Sequence, residues 1–374
     1  MKKLPIGIQS IGEIIKGGYV YVDKTDLILR LITEGKYYFL SRPRRFGKSL
    51  LVDTLKSIFK GDKVLFKGFK IYRSDYVWKK HPVIHFDFTQ ISNRDPKQLE
   101  AALMRTLQAI GKSYSKSIET HSLQEGLADL VKKLSEEGRV VVLVDEYDKP
   151  LIDNLEHIDT AEANRDLLKD FFGTLKGLDS YLRFVFVTGV SKFSQVSLFS
   201  GFNNLEDLTM SPDYATLLGY TEKEIPQFFG DRIKKIAAKK SKKRVLDEMR
   251  EWYNGYCFSW RAETVYNPHS TLNFLKTDRL ESFWFETGTP SFLIEQVRKL
   301  PQSVVPLSGV NAARSELINI RSLRHINLKA LMWQTGYLTI KEYNTTTSLY
   351  RLDFPNTEVR KAFFESLLQD FAEL

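Results

Sequence analysis

The chain has 374 residues, with 55 Lys and Arg against 46 Asp and Glu, for a formal net charge of +9. That length calls for two or three domains, and 43% hydrophobic with 13% aromatic residues excludes a disordered chain. A single cysteine, Cys257, excludes an internal disulfide and a cysteine-built zinc site, and no apolar run reaches membrane-spanning length. A cytoplasmic location is therefore expected.

In chain order, residues 19–25 read as an extended piece and a helix cap, followed by a short amphipathic helix over 26–32. The apolar run 37–40 is the first clear strand. It leads into Ser41-Arg42-Pro43-Arg44-Arg45-Phe46-Gly47-Lys48-Ser49 and then the apolar-rich helix start at Leu50. Strand, tight loop and helix opening on Gly-Lys-Ser is the layout of a phosphate-binding loop, whose backbone N–H groups and helix N-terminus attract anions. In such a loop Lys48 reaches the β- and γ-phosphates, and the Ser49 hydroxyl holds Mg²⁺. One position departs from the pattern. Arg42 stands where a glycine usually opens the loop, and arginine is the less permissive residue there.

Residues 82–88 read as a second strand, followed by helices over 96–114 and 122–137. A run of five apolar residues, Val140 to Val144, then ends in Asp145 and Glu146. A β-branched run of this kind suits a strand buried on both faces of a parallel sheet. Ligands in such sheets bind beyond the carboxyl ends of the strands. There Asp145 would complete the Mg²⁺ shell with Ser49, and Glu146 would polarise the attacking water.

After a helix over 162–178, the strand 183–189 places Thr188 where a γ-phosphate sensor stands, with Ser191 and Lys192 close behind. A fifth strand is expected over 205–210. Strands alternating with helices imply right-handed crossovers and a parallel α/β sheet. One extra strand between the loop strand and the acidic strand is the order of P-loop NTPases that carry a catalytic glutamate.

Beyond residue 212 the pattern becomes helical, with a capped start at Thr221 and aromatic-rich turns at 252–258 and 265–268. Lys234, Lys235, Lys239, Lys240, Lys242, Lys243 and Arg244 form a basic cluster, read as a solvated helix face or a patch for a DNA or RNA backbone. The six histidines show no metal-ligand spacing. Near the end, a helix over 326–335, strands over 336–340 and 348–352, and a helix over 357–371 have the order of a winged-helix unit. The expected architecture is thus a P-loop core over 1–212, a helical lid domain over 213–305 and a winged-helix-like domain over 306–374.

The motifs at residues 21–25, 41–49, 144–150, 188–193, 252–256, 265–268 and 354–359 together resemble the predicted AAA-ATPase-like family, over essentially the whole chain. Arg42 fits, since that family's loop commonly begins Arg-Pro-Arg-Arg. The resemblance implies ATP and Mg²⁺ as ligands, a relationship to archaeal-type and signal-transducing ATPases, and Tyr21, Asp23 and Lys24 lying near the adenine. Arg44, Arg45, Phe46, Gly47, Lys48, Ser49 and Leu50 would then surround the phosphates. Family members usually continue past 354–356 into a PD-(D/E)XK nuclease-like domain, for which no acidic constellation is visible in these residues. Arg165 and Arg183 are arginine-finger candidates by proximity alone. The leading expectation is a slow ATPase acting as a nucleotide-controlled switch. A degenerate nucleotide-binding scaffold and a nucleic-acid-binding module are the alternatives.

Overall fold

The computed structural model describes residues 1–120, 122–192, 205–284, 308–318, 320, 323–324 and 326–372. Phe193 and the expected boundary at 305–306 lie outside the described residues.

Five parallel strands form the central sheet: β1 (Tyr37–Ser41), β2 (Val83–Asp87), β3 (Val140–Asp145), β4 (Leu182–Gly189) and β5 (Glu206–Asp207), in the order β2-β3-β4-β1-β5. The strand between β1 and β3 in space is therefore β4, which brings three strand ends side by side. Leu40 is in register with Thr188, and Val144 with Val187. β1 and β3 are buried at every residue, as unbroken apolar runs covered on both faces must be. The fifth strand is shorter than expected, two residues, because its neighbours turn at once to serve the loop after β1.

Helices α1 (Ile11–Lys16), α2 (Thr25–Glu34), α3 (Lys48–Phe59), α4 (Pro96–Ser113), α5 (Leu123–Ser135), α6 (Lys149–Ile152) and α7 (Ile158–Gly173) pack around this sheet. Next come α8 (Glu224–Ala237), α9 (Lys242–Tyr253) and α10 (Pro268–Thr277), whose apolar faces form a separate small core with Val20 and Val22. The last module consists of β6 (Val310–Ala313), α11 (Arg314–Ile318), α12 (Leu328–Thr335), β7 (Thr339–Asn344), β8 (Leu349–Asp353) and α13 (Thr357–Ala372). Its strands form an antiparallel sheet in the order β6-β8-β7.

The apolar core of the sheet runs without a break into this last module, through Tyr256, Phe258, Leu317, Trp333, Tyr337 and Phe363. The reason is local composition. Residues 330–335 of α12 are buried all round, so the helix cannot stand as the exposed face of a separate domain. No described helix is long and apolar enough to cross a membrane.

Candidate functional site

The site lies at the carboxyl ends of β1, β3 and β4. Between β1 and α3 the chain turns through Arg45 (φ 66°) and Gly47 (φ 93°). The second of these is the left-handed position that glycine serves at no steric cost. Arg42 does not take a positive φ, so its backbone needs no glycine. Its side chain leaves the loop altogether and is fully buried. Nη1 donates to the carbonyls of Ser41 and Thr209, both at 2.9 Å, and Nη2 to that of Tyr214 at 3.2 Å. The guanidinium lies 4.0 Å over the Phe258 ring. Burial pulls its pKa down to about 9, with Asp207 opposing. The arginine thus fastens the loop to the sheet edge and leaves the anion-facing side open.

Helices α4, α5, α9 and α10 are capped at their N-termini by the side chains of Asp95, Ser122, Ser241 and Asn267. Gly47 offers α3 no side chain, so the first N–H groups of α3 are left for a ligand. Lys48, at the head of α3, is buried and donates to the carbonyls of Arg42 and Pro43, both at 3.1 Å. Burial lowers its pKa, and Glu146, Asp145 and Asp148 oppose that in this order. All three acids thus act on this ammonium by charge, while its direct partners are the two carbonyls.

Asp145 is 3% exposed, and its Oδ1 has no hydrogen-bond partner. Burial raises its pKa to about 6, against the Ser49 hydroxyl and Lys48, which lower it. A buried, half-satisfied carboxylate beside a serine hydroxyl is a donor set that suits Mg²⁺, which takes one or two carboxylates and keeps substrate oxygens and water for the rest. Among the described residues no group of three or more His, Cys, Asp or Glu could hold a metal by itself. Because the folded protein binds this proton more tightly than the unfolded chain, stability contributed here is lost as pH rises from about 4 to about 6. Asp145→Asn is accordingly expected to stabilise the ligand-free protein at neutral pH by about 1–3 kcal/mol. Urea denaturation at pH 5 and pH 7.5 checks this, the gain being larger at the higher pH.

Glu146 follows in the left-handed region (φ 53°), an unfavourable conformation for a residue with a Cβ. It is held there by the two residues that follow it. Tyr147 N donates to the Thr188 carbonyl at 3.1 Å, and the buried Asp148 carboxylate accepts from Val190 N, Ser191 N and Ser191 Oγ. Asp148 was part of the sequence motif without a role. Its role in the structure is to clamp the turn after β4 to the turn after β3.

The expected sensor residues occupy more enclosed positions. Thr188 is fully buried and donates its hydroxyl to the Leu40 carbonyl at 2.8 Å, within the sheet. Lys192 is buried, its ammonium pairs with Asp207, and its N–H donates to Gln334 Oε1 on α12 at 2.7 Å. Of the arginine-finger candidates, Arg183 sits at the amino end of β4, away from the phosphate end, and donates to the Ile32 carbonyl at 2.8 Å. A finger role in its own site is therefore ruled out by topology. Arg165 pairs with its neighbour Asp166.

On the other side of Gly47, a crevice of about 90 Å³ is lined by Tyr21, Lys24, Phe46, Gly47, Leu50 and Tyr220 among others. Burial pushes the Tyr21 phenol up to about 12, against the Thr54 hydroxyl. Lys24 pairs with Glu224 at 2.7 Å, joining this wall to the head of α8. Asp23 does not face the crevice lining. It accepts from Thr25 N and Oγ1 and from Lys70 N, fixing the start of α2.

The loop is also enclosed from the C-terminal side, by contacts that no local motif announces. Phe46 packs edge-on against Tyr256 at 4.8 Å and Phe258 at 5.4 Å, and Trp284 Nε1 donates to the Arg44 carbonyl at 3.0 Å. Gly336, at φ 93°, caps α12, and a Cβ there would stand 2.7 Å from the Pro43 ring. Gly336→Ala is expected to cost about 1–3 kcal/mol by combining a left-handed strain with this collision. The midpoint of urea denaturation measures it.

Residues 5–199 match the sequence profile of the predicted AAA-ATPase family, more than half of the chain. The chain belongs to this family. A relative from Azotobacter chroococcum mcd 1, an uncharacterized protein in the vnfD 5′ region, is 40% identical over 373 residues, which is 98% of this chain and 70% of that one. The AAA-ATPase-family fold is also similar to that of the Walker-type ATPase PABY2304 of Pyrococcus abyssi. That similarity has a TM-score of 0.50 at 16% identity, over 91% of this chain and 95% of that chain. The likeness extends beyond the profile match to nearly the full length of the fold.

Proposed function

We propose that this ATPase-family protein binds ATP with Mg²⁺ in the loop at residues 42–49, hydrolyses it slowly, and passes its nucleotide state to the C-terminal module. The observation that carries the reading is the convergence of Lys48, Ser49, Asp145 and Glu146 on one uncapped helix N-terminus. Lys48 would exchange its two loop carbonyls for phosphate oxygens. Ser49 and Asp145 would hold Mg²⁺, which neutralises charge on the phosphates when bound. Glu146, turned by its left-handed backbone, would accept a proton from the attacking water. Tyr21, Lys24, Phe46 and Leu50 would flank the base. Arg44 and Arg45, half-buried and exposed respectively, remain available to phosphates.

The switch role rests on the enclosure of the loop. Movement of Pro43, Arg44 or Phe46 on binding phosphate would press on Gly336, Trp284 and Tyr256. Movement after β4 would reach α12 through Gln334, which also donates to the Leu317 carbonyl at 2.7 Å. The order of β6-β8-β7 with α11 and α12 between them fits a winged-helix-like module, read here as a packing element because α12 is buried on the core. Calorimetric titration with ATP tests the first step. Binding in Mg²⁺ that weakens at least tenfold in EDTA is expected, and equal affinity in both would remove the metal from the scheme.

A further inference from the structure

The formal charge of +9 is unevenly placed. Residues 56–81 contain eight Lys and Arg against two Asp, a local net of +6. They run from the end of α3 to the start of β2, at the amino end of the sheet and so on the face opposite the P-loop. Lys60, Lys63, Lys67, Lys79 and Lys80 are exposed and, among the described residues, form no ion pair. Lys70 alone in the segment pairs with an acid, Asp26. In the cluster at 234–244, Lys234, Lys235, Lys242 and Lys243 are likewise exposed and form no ion pair among the described residues, while Lys240 and Arg244 both pair with Glu248, and Lys240 also with Asp278.

The segment borders a cavity of about 590 Å³, lined by Lys56, Lys60 and Lys80 with His81, His85 and Tyr114, and by the acids Asp62 and Glu137. Burial, and after it Lys56, holds His85 below the ordinary imidazole range, so the charge facing the cavity near neutral pH comes from the lysines. Lysines at a helix C-terminus ordinarily complement its dipole, which accounts for Lys56 and Lys60. It does not account for Lys79 and Lys80, which follow no helix end; Lys67 caps a single short 3₁₀ turn, Lys63–Phe66. Val64 and Val77 on the same segment are 85% and 79% exposed, apolar surface left uncovered in the isolated chain.

We propose that the surface of residues 56–81 and its cavity bind the phosphate backbone of a nucleic acid. Unpaired lysines around a concavity hold phosphates by charge, without reading bases. A concave slot receives a phosphodiester unit, whereas a flat bilayer would reach only its rim. Binding here does not depend on the P-loop reading, since the two sites lie at opposite ends of the sheet.

The test is fluorescence anisotropy of a labelled mixed-sequence DNA duplex with the full chain, between about 50 and 200 mM KCl. The variant Lys60→Gln/Lys79→Gln/Lys80→Gln is compared with a charge-matched control, Lys234→Gln/Lys235→Gln/Lys243→Gln. All six residues are exposed, so both variants are expected to fold, and thermal denaturation checks that each is otherwise intact. The expected result is salt-dependent binding that falls about tenfold or more in the first variant only, with a log–log salt slope shallower by about 2–3. Equal losses in both variants would reduce the effect to net charge and overturn the proposal. So would an absence of binding at the lowest salt, or binding confined to phosphatidylserine vesicles.

Discussion

Glu146→Gln is expected to lower ATP turnover by about 10²–10⁴-fold while leaving ATP affinity within a few-fold. Glutamine keeps the size and the left-handed backbone of this position but cannot take a proton. The stitches just after it, Tyr147 to Thr188 and Asp148 to Val190 and Ser191, involve other residues and survive the change. Phosphate release and calorimetry on the same preparation separate the two effects. If wild type and variant turn over at the same slow rate, the glutamate is not the base, and the protein is better described as a nucleotide-binding scaffold.

Lys48→Ala should have the largest effect on binding. The side chain supplies an ammonium on which the charges of Glu146, Asp145 and Asp148 act, and alanine leaves that negative charge uncompensated near incoming phosphates. Loss of charge-assisted hydrogen bonds to two phosphates, about 3–5 kcal/mol, corresponds to a weakening of about 10²–10⁴-fold. Stability should change little by comparison. Lys48 is buried at a desolvation cost, and its present partners are two carbonyls that can turn to water. Calorimetry in Mg²⁺ with thermal denaturation as a companion measurement gives the answer. Undiminished ATP binding in the variant would mean that the nucleotide sits elsewhere.

Some contacts argue for reading the two experiments together. Asp145 already carries a raised pKa, and removing Lys48 takes away a charge that lowers it. That charge also repels Mg²⁺, so the Lys48 variant should bind Mg²⁺ no less well than wild type without nucleotide, whereas Glu146→Gln removes a neighbouring negative charge and should bind it more weakly. This contrast distinguishes an electrostatic role for Lys48 from a purely local contact with phosphate.

The parts of this protein legible in the sequence are those in which chemistry is contiguous. Residues 37–50 and 140–146 each contain a whole strand end and its functional residues, because strand, turn and helix start are fixed by near neighbours. Their juxtaposition follows from parallel order, which alternating strands and helices already imply. Arg42 appeared in sequence as a defect of the loop. Only the fold reveals that its side chain turns toward Thr209, Tyr214 and Phe258, residues between 167 and 216 positions away.

The same distance in sequence hid the other determinants. Thr188 was legible as the end of a strand, but that its hydroxyl serves Leu40 depends on which strand lies beside β4. The aromatic turn at 252–258 and the glycine at 336 carry no local sign that they close over residues 43–46. What the sequence determined by itself is a phosphate-binding strand–loop–helix and an acid-ended buried strand, since short-range backbone geometry and apolar runs specify both. What only the tertiary structure decided is the enclosure of that loop by the C-terminal module and the bare basic surface behind the sheet. Both are properties of packing and of unpaired charge, which exist only once distant segments meet.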